Sequence, residues 1–241
     1  MNHSIDLNPR QRSAKAGQSI AHESAHLHVT GEAVYIDDMP ELANTLHLAV
    51  GFSKCAKGKI TAFDLEAVRA AQGVYAVYTA ADIQIENNWG PIVKDDPIFA
   101  DGEVEFYGQA LFVVAADTYQ HARQAVRLAK IEYAAETPIL SIQDAIEQQS
   151  WVLPPVEFSH GEVDAAFEHA PHRLSGSIDL GGQEHFYLEG QISYAVPLED
   201  QSLKVYCSTQ HPTEMQLLIC HALGLHMHQV SVEARRMGGG F

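Results

Sequence analysis

The sequence predicts an α+β fold in two consecutive domains. Two stretches within the first 140 residues repeat the order strand, helix, strand, and residues 190–236 hold three strands and one helix. Neighbouring strands are joined sometimes by a helix and sometimes by a short turn, and this mixed order favours α+β over a purely parallel sheet. A length of 241 residues with 46% hydrophobic and 19% charged residues is typical of an ordinary globular chain.

The first stretch predicts a short helix among three strands. The strands cover 46–53, 59–64 and 74–80. The helix runs from Asp64 to about Ala71, because an aspartate at its start can accept hydrogen bonds from the free amides of the first turn. Gly73 follows the helix, where a left-handed backbone favours glycine.

The second stretch predicts a strand over 103–117, a helix from about Thr118 to Lys130 and a strand over 130–135. Spacings of three and four residues place one set of small apolar side chains on a single helix face. These are Ala122, Ala125, Val126 and Ala129. Residues 84–102, between the two stretches, are polar and contain two prolines, so we expect a long exposed loop.

The second domain is predicted to follow a proline-rich connection. A short helix over 141–149 leads to Pro154-Pro155, which breaks regular structure and indicates a domain boundary near 150–160. The helix that follows runs from about Pro212 to Leu223, because proline suits the first helical position and Gly224 suits the end. The predicted strands of this domain cover 172–180, 190–198, 202–209 and 229–236.

The charge balance excludes several classes of partner. Lys+Arg total 15 and Asp+Glu total 31, so the formal net charge is −16, which argues against binding to nucleic acid or to anionic membranes. No apolar run approaches the ~18 residues of a membrane span. The first 17 residues have no apolar signal region, and the three cysteines, Cys55, Cys207 and Cys220, are widely spaced. We therefore expect a cytoplasmic chain with reduced thiols.

One sequence pattern suggests zinc hydrolysis. His22-Glu23-Ser24-Ala25-His26 matches HExxH, which on a helix places two histidines one turn apart with a glutamate as general base. The surrounding residues are polar, and Val29-Thr30-Gly31 ends any helix at once. In a chain with 14 histidines, a chance match is the favoured interpretation.

Two further patterns leave structure and function equally open. Three glycines, Gly238-Gly239-Gly240, follow a predicted strand and indicate a tight turn, close packing or a ligand that approaches the main chain. Gln210 lies between a strand and a helix, a common place for ligand-binding groups in α/β sheets, but a single glutamine is also typical of a helix cap or loop and by itself predicts no function.

Three segments in this order resemble the molybdopterin-binding part of the xanthine dehydrogenase/aldehyde oxidase family. They are LHVTGEAVYIDDMP (27–40), GGQEHFYLEGQ (181–191) and STQH…RRMGGGF (208–241). The resemblance implies an α/β-hammerhead domain over 24–140 and the first, incomplete part of a molybdenum-cofactor-binding domain over 159–241. The polar residues 1–23 are expected to form a flexible arm, and the proline-rich residues 141–158 a linker.

The resemblance also implies a chemistry and a set of site residues. Members of the family oxidise substrates such as hypoxanthine and xanthine at a molybdenum–molybdopterin centre, take oxygen from water, and pass electrons through [2Fe-2S] clusters and FAD to NAD. The segment 181–189 is implied to shape the site through Gln183, Glu184 and Glu189. Gln210 is implied to donate a hydrogen bond to the molybdenum oxo group, and the cofactor to rest against the residues that follow the last strand, with no protein side chain as a metal ligand. These are Gly239, Gly240 and Phe241.

In the family the chain continues well beyond this glycine motif and there supplies the catalytic base, the substrate-orienting side chains and most cofactor ligands. We therefore expect a truncated or interrupted subunit that is inactive alone. Its expected partners are the remainder of the molybdopterin subunit, an iron–sulfur/FAD subunit or domain, and a purine substrate. The alternatives are a non-catalytic assembly or binding module and the less favoured zinc hydrolase.

Overall fold

The computed structural model describes residues 16–240, so most of the predicted arm and Phe241 lie outside the described residues. Six α-helices are present in this part of the chain: α1 (Ala25–Thr30), α2 (Glu66–Arg69), α3 (Tyr119–Val126), α4 (Ile142–Glu147), α5 (Val163–His169) and α6 (Pro212–Leu223). The strands are β1 (His47–Phe52), β2 (Gly58–Asp64), β3 (Val74–Thr79), β4 (Glu103–Val104), β5 (Ala110–Ala116), β6 (Lys130–Ala135), β7 (Ser193–Pro197), β8 (Leu203–Cys207) and β9 (Val230–Glu233).

The first half contains two antiparallel three-stranded sheets, in the orders β1-β5-β3 and β4-β2-β6. Helix α2 connects β2 to β3 and helix α3 connects β5 to β6, so each helix leads from one sheet to the other. The two strand–helix–strand stretches therefore form no parallel pair, and the predicted α+β class is confirmed.

The core of this half lies where α2 and α3 pack against the sheet β1-β5-β3. Ala122 and Ala125 are fully buried, as the helical spacing predicts. Their small side chains bring α3 close to Leu111 and Val114 of β5, which are both 0% exposed. Thr118 begins the helix, where its hydroxyl oxygen accepts a hydrogen bond from the His121 N–H at 3.1 Å.

Three predicted boundaries are corrected. Helix α3, predicted to reach Lys130, ends at Val126, and Ala129 therefore lies beyond the helix. Asp64 is the last residue of β2, and α2 begins two residues later, but the Asp64 carboxylate still accepts a hydrogen bond from the Glu66 N–H at 2.9 Å. The strand predicted over 103–117 is wrong as one element. Gly108, at a φ of +91°, lies between β4 and β5, which belong to different sheets.

The loop over 84–102 has no helix or strand, but the expectation that it is exposed is only partly correct. Phe99 and Ala100 are 8% and 7% exposed. The Asn87 side chain holds the loop together by accepting from the Phe99 N–H at 3.0 Å and donating to the Phe99 carbonyl at 2.7 Å. The Asn87 side chain thus provides hydrogen-bond partners for the N–H and carbonyl of Phe99, which no strand pairs with.

The second half contains one three-stranded sheet, β7-β8-β9, in which β7 and β8 are antiparallel and β8 and β9 are parallel. Helix α6 connects the parallel strands and packs on β9. Pro212 begins this helix and Gly224, at a φ of +67°, ends it, as predicted.

The strand predicted over 172–180 is wrong. These residues form no regular structure, and Leu174, Ile178 and Leu180 are 85–100% exposed. Alternating apolar residues become a strand only beside a partner strand, and no described segment pairs with this one. Helix α5, which precedes it, was not predicted.

Candidate cofactor-binding site

The candidate site lies beyond the carboxyl ends of β8 and β9. Because these strands are parallel and adjacent, the segments that follow them emerge at the same edge of the sheet. Gln210 follows β8 and Gly240 follows β9. A Cβ atom built on Gly240 would lie 3.3 Å from Gln210 Nε2 and 3.4 Å from its Cδ. The structure therefore brings two of the predicted site residues into contact.

The side-chain amide of Gln210 is available to a ligand. Gln210 is exposed and makes no side-chain hydrogen bond to any residue within 16–240. The backbone beside it is fixed, because the His211 N–H donates to Thr209 Oγ1 at 3.1 Å and α6 begins at Pro212. Gly239 is half-buried and Gly240 is exposed next to this amide.

Glu189 contacts the other end of the glycine segment. Glu189 is 8% exposed, and its carboxylate accepts a hydrogen bond from the Gly238 N–H at 2.7 Å. The second carboxylate oxygen accepts from the Ile36 N–H at 3.3 Å. A Cβ atom on Gly238 would lie 2.6 Å from Glu189 N and 2.9 Å from its Cα, which leaves room for glycine alone.

Gln183 and Glu184, which the resemblance also implies to shape the site, take no part in this contact. Gln183 and Glu184 are exposed, and the Glu184 carboxylate accepts a hydrogen bond from the neighbouring His185 N–H at 3.2 Å. Within the described chain no hydrogen bond links Gln183 or Glu184 to Gln210 or to 238–240.

The segment 27–40 also meets the second half of the chain. The Arg236 guanidinium donates through Nη1 to the Val34 carbonyl. Two residues after the segment, the Leu42 N–H donates to the Tyr194 hydroxyl at 3.0 Å. A cavity of about 340 Å³ lies between this segment and strands β8 and β9. The sequence indicates no role for Val34, Ile36 or Arg236. Val34 and Ile36 contribute a backbone carbonyl and a backbone N–H, which do not depend on the type of residue.

The zinc interpretation loses its geometric basis. Helix α1 begins at Ala25, so His22 precedes the helix and does not stand one turn from His26. His22 Nδ1 instead accepts a hydrogen bond from the Ser24 N–H at 3.1 Å. Residues 16–240 contain no cluster of three or more histidine, cysteine or acidic side chains suited to a metal ion.

Electrostatic shifts near the sheet have local causes. A hydrogen bond from the Lys204 ammonium, at 2.9 Å, holds the pKa of Glu233 below its usual value and raises that of Lys204. Burial raises the pKa of the Cys207 and Cys220 thiols.

Within residues 16–240, no helix combines the length and hydrophobicity of a transmembrane segment.

Two family profiles match the chain. Residues 30–137 match the profile described as "Aldehyde oxidase and xanthine dehydrogenase, a/b hammerhead domain", and residues 145–241 match "Molybdopterin cofactor-binding domain". Xanthine dehydrogenase of Drosophila subobscura is 41% identical over 228 residues, covering 93% of this chain. Aldehyde oxidase 4 of Mus musculus is 38% identical over 238 residues, covering 98%. The chain spans 17% and 18% of the length of these two relatives.

Solved structures give the same assignment of fold. Aldehyde oxidoreductase from Desulfovibrio gigas matches with a TM-score of 0.76 at 25% identity, covering 90% of this chain and 26% of that one. Quinoline 2-oxidoreductase from Pseudomonas putida 86 matches with a TM-score of 0.77 at 23% identity, covering 93% of this chain and 31% of that one. The chain belongs to the xanthine dehydrogenase/aldehyde oxidase family of molybdenum hydroxylases, with its α/β-hammerhead domain followed by residues of its molybdopterin cofactor-binding domain.

Proposed function

We propose that this chain is part of a cytoplasmic xanthine dehydrogenase, which oxidises hypoxanthine and xanthine to urate with water as the oxygen source. The observation that carries the proposal is the contact between Gly240 and the amide of Gln210, which has no hydrogen-bond partner within residues 16–240. Relatives named xanthine dehydrogenase, at 38–41% identity, support the purine substrate. Aldehydes are the alternative substrate class, because aldehyde oxidase 4 of Mus musculus matches at 38%.

The residues at this edge fit a bulky, oxygen-bearing cofactor. The space next to the Gln210 amide would be filled by any side chain at position 240, and glycine leaves it open. We propose that Gln210 donates a hydrogen bond to an oxo group, while Gly239, Gly240 and Phe241 line the molybdenum–molybdopterin cofactor. When bound, the molybdenum centre supplies the two-electron oxidation of the substrate carbon.

Glu189 is unsuited to act as the general base. Both of its carboxylate oxygens accept backbone N–H groups, and the side chain is buried. A general base must lie within hydrogen-bond reach of the proton that it removes. We therefore propose that the base comes from the remainder of the molybdopterin subunit and that this chain alone is inactive.

Exposed apolar side chains support the need for further polypeptide. Between residues 151 and 188, five large apolar side chains are at least 92% exposed: Val152, Val156, Phe158, Leu174 and Leu188. Extended apolar surface of this kind is typical of regions that other polypeptide covers. The proposed partners are the rest of the molybdopterin subunit and a subunit or domain that carries [2Fe-2S] clusters and FAD and passes electrons to NAD.

The test uses the assembled enzyme and the variant Gln210→Ala, with Gln148→Ala at the exposed end of α4 as the control. We expect the parent enzyme to contain molybdenum. Gln210→Ala should lower kcat for xanthine about a hundredfold, as for removal of one donor to a developing negative charge. A folded assembly without molybdenum would refute the proposal, and unchanged activity in Gln210→Ala would favour a non-catalytic assembly module. Turnover of aldehydes but not of xanthine would identify the alternative substrate class.

A further inference from the structure

We infer that Glu189 is a positioning residue that ties residues 34–36 to the glycine segment 238–240, so that the family motif at 27–40 acts as a brace for the cofactor-binding edge. The inference rests on the proposed function for its catalytic meaning. The contacts that define the brace are properties of the chain itself.

The first link of the brace is the Glu189 carboxylate. It accepts one N–H from Ile36, 153 positions earlier, and one from Gly238, 49 positions later. A carboxylate suits this position because each of its two oxygens accepts one of the two N–H groups, and it carries no N–H of its own to repel them. The burial of Glu189, at 8% exposed, removes water as a substitute partner for these groups.

The second link is the Arg236 side chain. Its guanidinium donates to the carbonyl of Val34, two residues before Ile36, while Arg236 itself precedes Gly238 by two residues. The two segments are therefore joined at two points with the same spacing on each. Residue 34 is held to residue 236, and residue 36 is held through Glu189 to residue 238.

The local turn at Ile36 directs its N–H outward to the brace. Residues Ile36–Asp38 form a single 3₁₀ turn, and the Asp38 carboxylate accepts the Tyr35 N–H at 3.0 Å. The Ile36 N–H is thus left for Glu189. Gly238 in turn lies so close to Glu189 that no Cβ fits. This contact fixes the start of the segment 238–240, whose last residue, Gly240, lies against Gln210.

The geometry predicts a joint response of two distant segments. Glu189→Gln keeps the shape of the side chain but replaces one acceptor oxygen with an NH₂ group, which faces an N–H donor. We expect the amide hydrogen-exchange rates of residues 34–38 and of residues 236–240 to rise together by about tenfold. This is the increase expected when one hydrogen bond to a charged group is lost. Glu189→Ala should produce a larger rise in both segments.

The experiment measures hydrogen exchange by mass spectrometry in the assembled enzyme, both as purified and depleted of cofactor. Arg236→Gln is a second variant that cuts the other link and should loosen the same two segments. Glu199→Gln, an exposed carboxylate in the β7–β8 turn, is the matched control and should change neither. Molybdenum content and kcat should fall in Glu189→Gln, with a smaller change in KM.

Two outcomes would overturn the inference. Either exchange stays unchanged in both segments in Glu189→Gln, or it rises in only one of them while the protein remains folded. If the exchange response appears in an assembly that contains no molybdenum, the brace stands and the proposed function fails. If molybdenum and activity are normal and the joint response is absent, the proposed function stands and the brace fails.

Discussion

The two ends of the glycine motif should respond differently to alanine. A Cβ on Gly238 would approach backbone atoms of Glu189, at 2.6 Å from N and 2.9 Å from Cα, and backbone cannot swing aside. A Cβ on Gly240 would meet the flexible end of the Gln210 side chain, at 3.3–3.6 Å. Neither glycine has a left-handed φ, so contact rather than backbone strain decides the outcome.

The magnitudes follow from these contacts. Replacing glycine by alanine gains about 0.4–1 kcal/mol by restricting the unfolded chain where the site accepts the methyl group. At Gly238 the clash requires a shift of about 1 Å, and overpacking of this kind costs about 1–3 kcal/mol. Gly238→Ala should therefore lower the free energy of unfolding. Gly240→Ala should leave the free energy of unfolding within about 0.5 kcal/mol of the parent value.

The assay pairs thermal unfolding of the chain with kcat of the assembled enzyme, and Gly176→Ala, outside the three family motifs, is the control because a Cβ there meets no atom within 4 Å. Gly238→Ala should lower both Tm and kcat, since a displacement of about 1 Å near reacting groups can cost about a hundredfold in rate. Gly240→Ala should lower kcat alone, because the added methyl group crowds the Gln210 amide. Equal stability of both variants, or full activity of Gly240→Ala, would refute the reasoning.

Two further predictions concern titratable groups. Cys55 is partly exposed whereas burial raises the pKa of Cys207 and Cys220, so a thiol reagent at pH 8 should modify one cysteine rapidly, and Cys55→Ser should abolish that fast phase. Because Lys204 lowers the folded-state pKa of Glu233, this carboxylate stabilises the fold above its unfolded-state pKa, and the contribution is lost as pH falls through the folded-state value. Glu233→Gln should therefore flatten the acid side of the stability–pH curve measured by denaturant unfolding, and an unchanged curve would contradict the assignment.

Local signals in the sequence predict local structure well. Pro212 and Gly224 bound α6 as predicted, because helix ends depend on a few adjacent residues. Helices α3 and α4 begin next to their predicted starts, Thr118 and Ser141, which the structure shows to accept first-turn amides. The strand predicted over 172–180 fails for the opposite reason. Its alternation is a local property, but a strand requires a neighbour that the alternation does not specify.

The contacts of the candidate site also differ in how far the sequence predicts them. The sequence predicts the strand, helix and strand around Gln210 and before Gly240, and the structure pairs these two strands in parallel, which delivers both following segments to one edge. The contact of Glu189 with Ile36 has no such signal. Ile36 contributes its backbone N–H alone, which every residue except proline carries, so neither the residue type nor the separation of 153 positions marks it.

This difference explains why a motif can be recognised before its role is understood. The segment 27–40 contains no side chain with an evident chemical role, and its contacts with the cofactor-binding edge run through the Val34 carbonyl and the Ile36 N–H. Their partners, Arg236 and Glu189, belong to the two other motifs. The three motifs therefore meet in one hydrogen-bonded group, in which Glu189 holds Gly238 in place and Gly240 lies against Gln210. A substitution at position 34 or 36 that keeps the backbone path should accordingly be tolerated, whereas loss of either charged partner should displace the glycine segment.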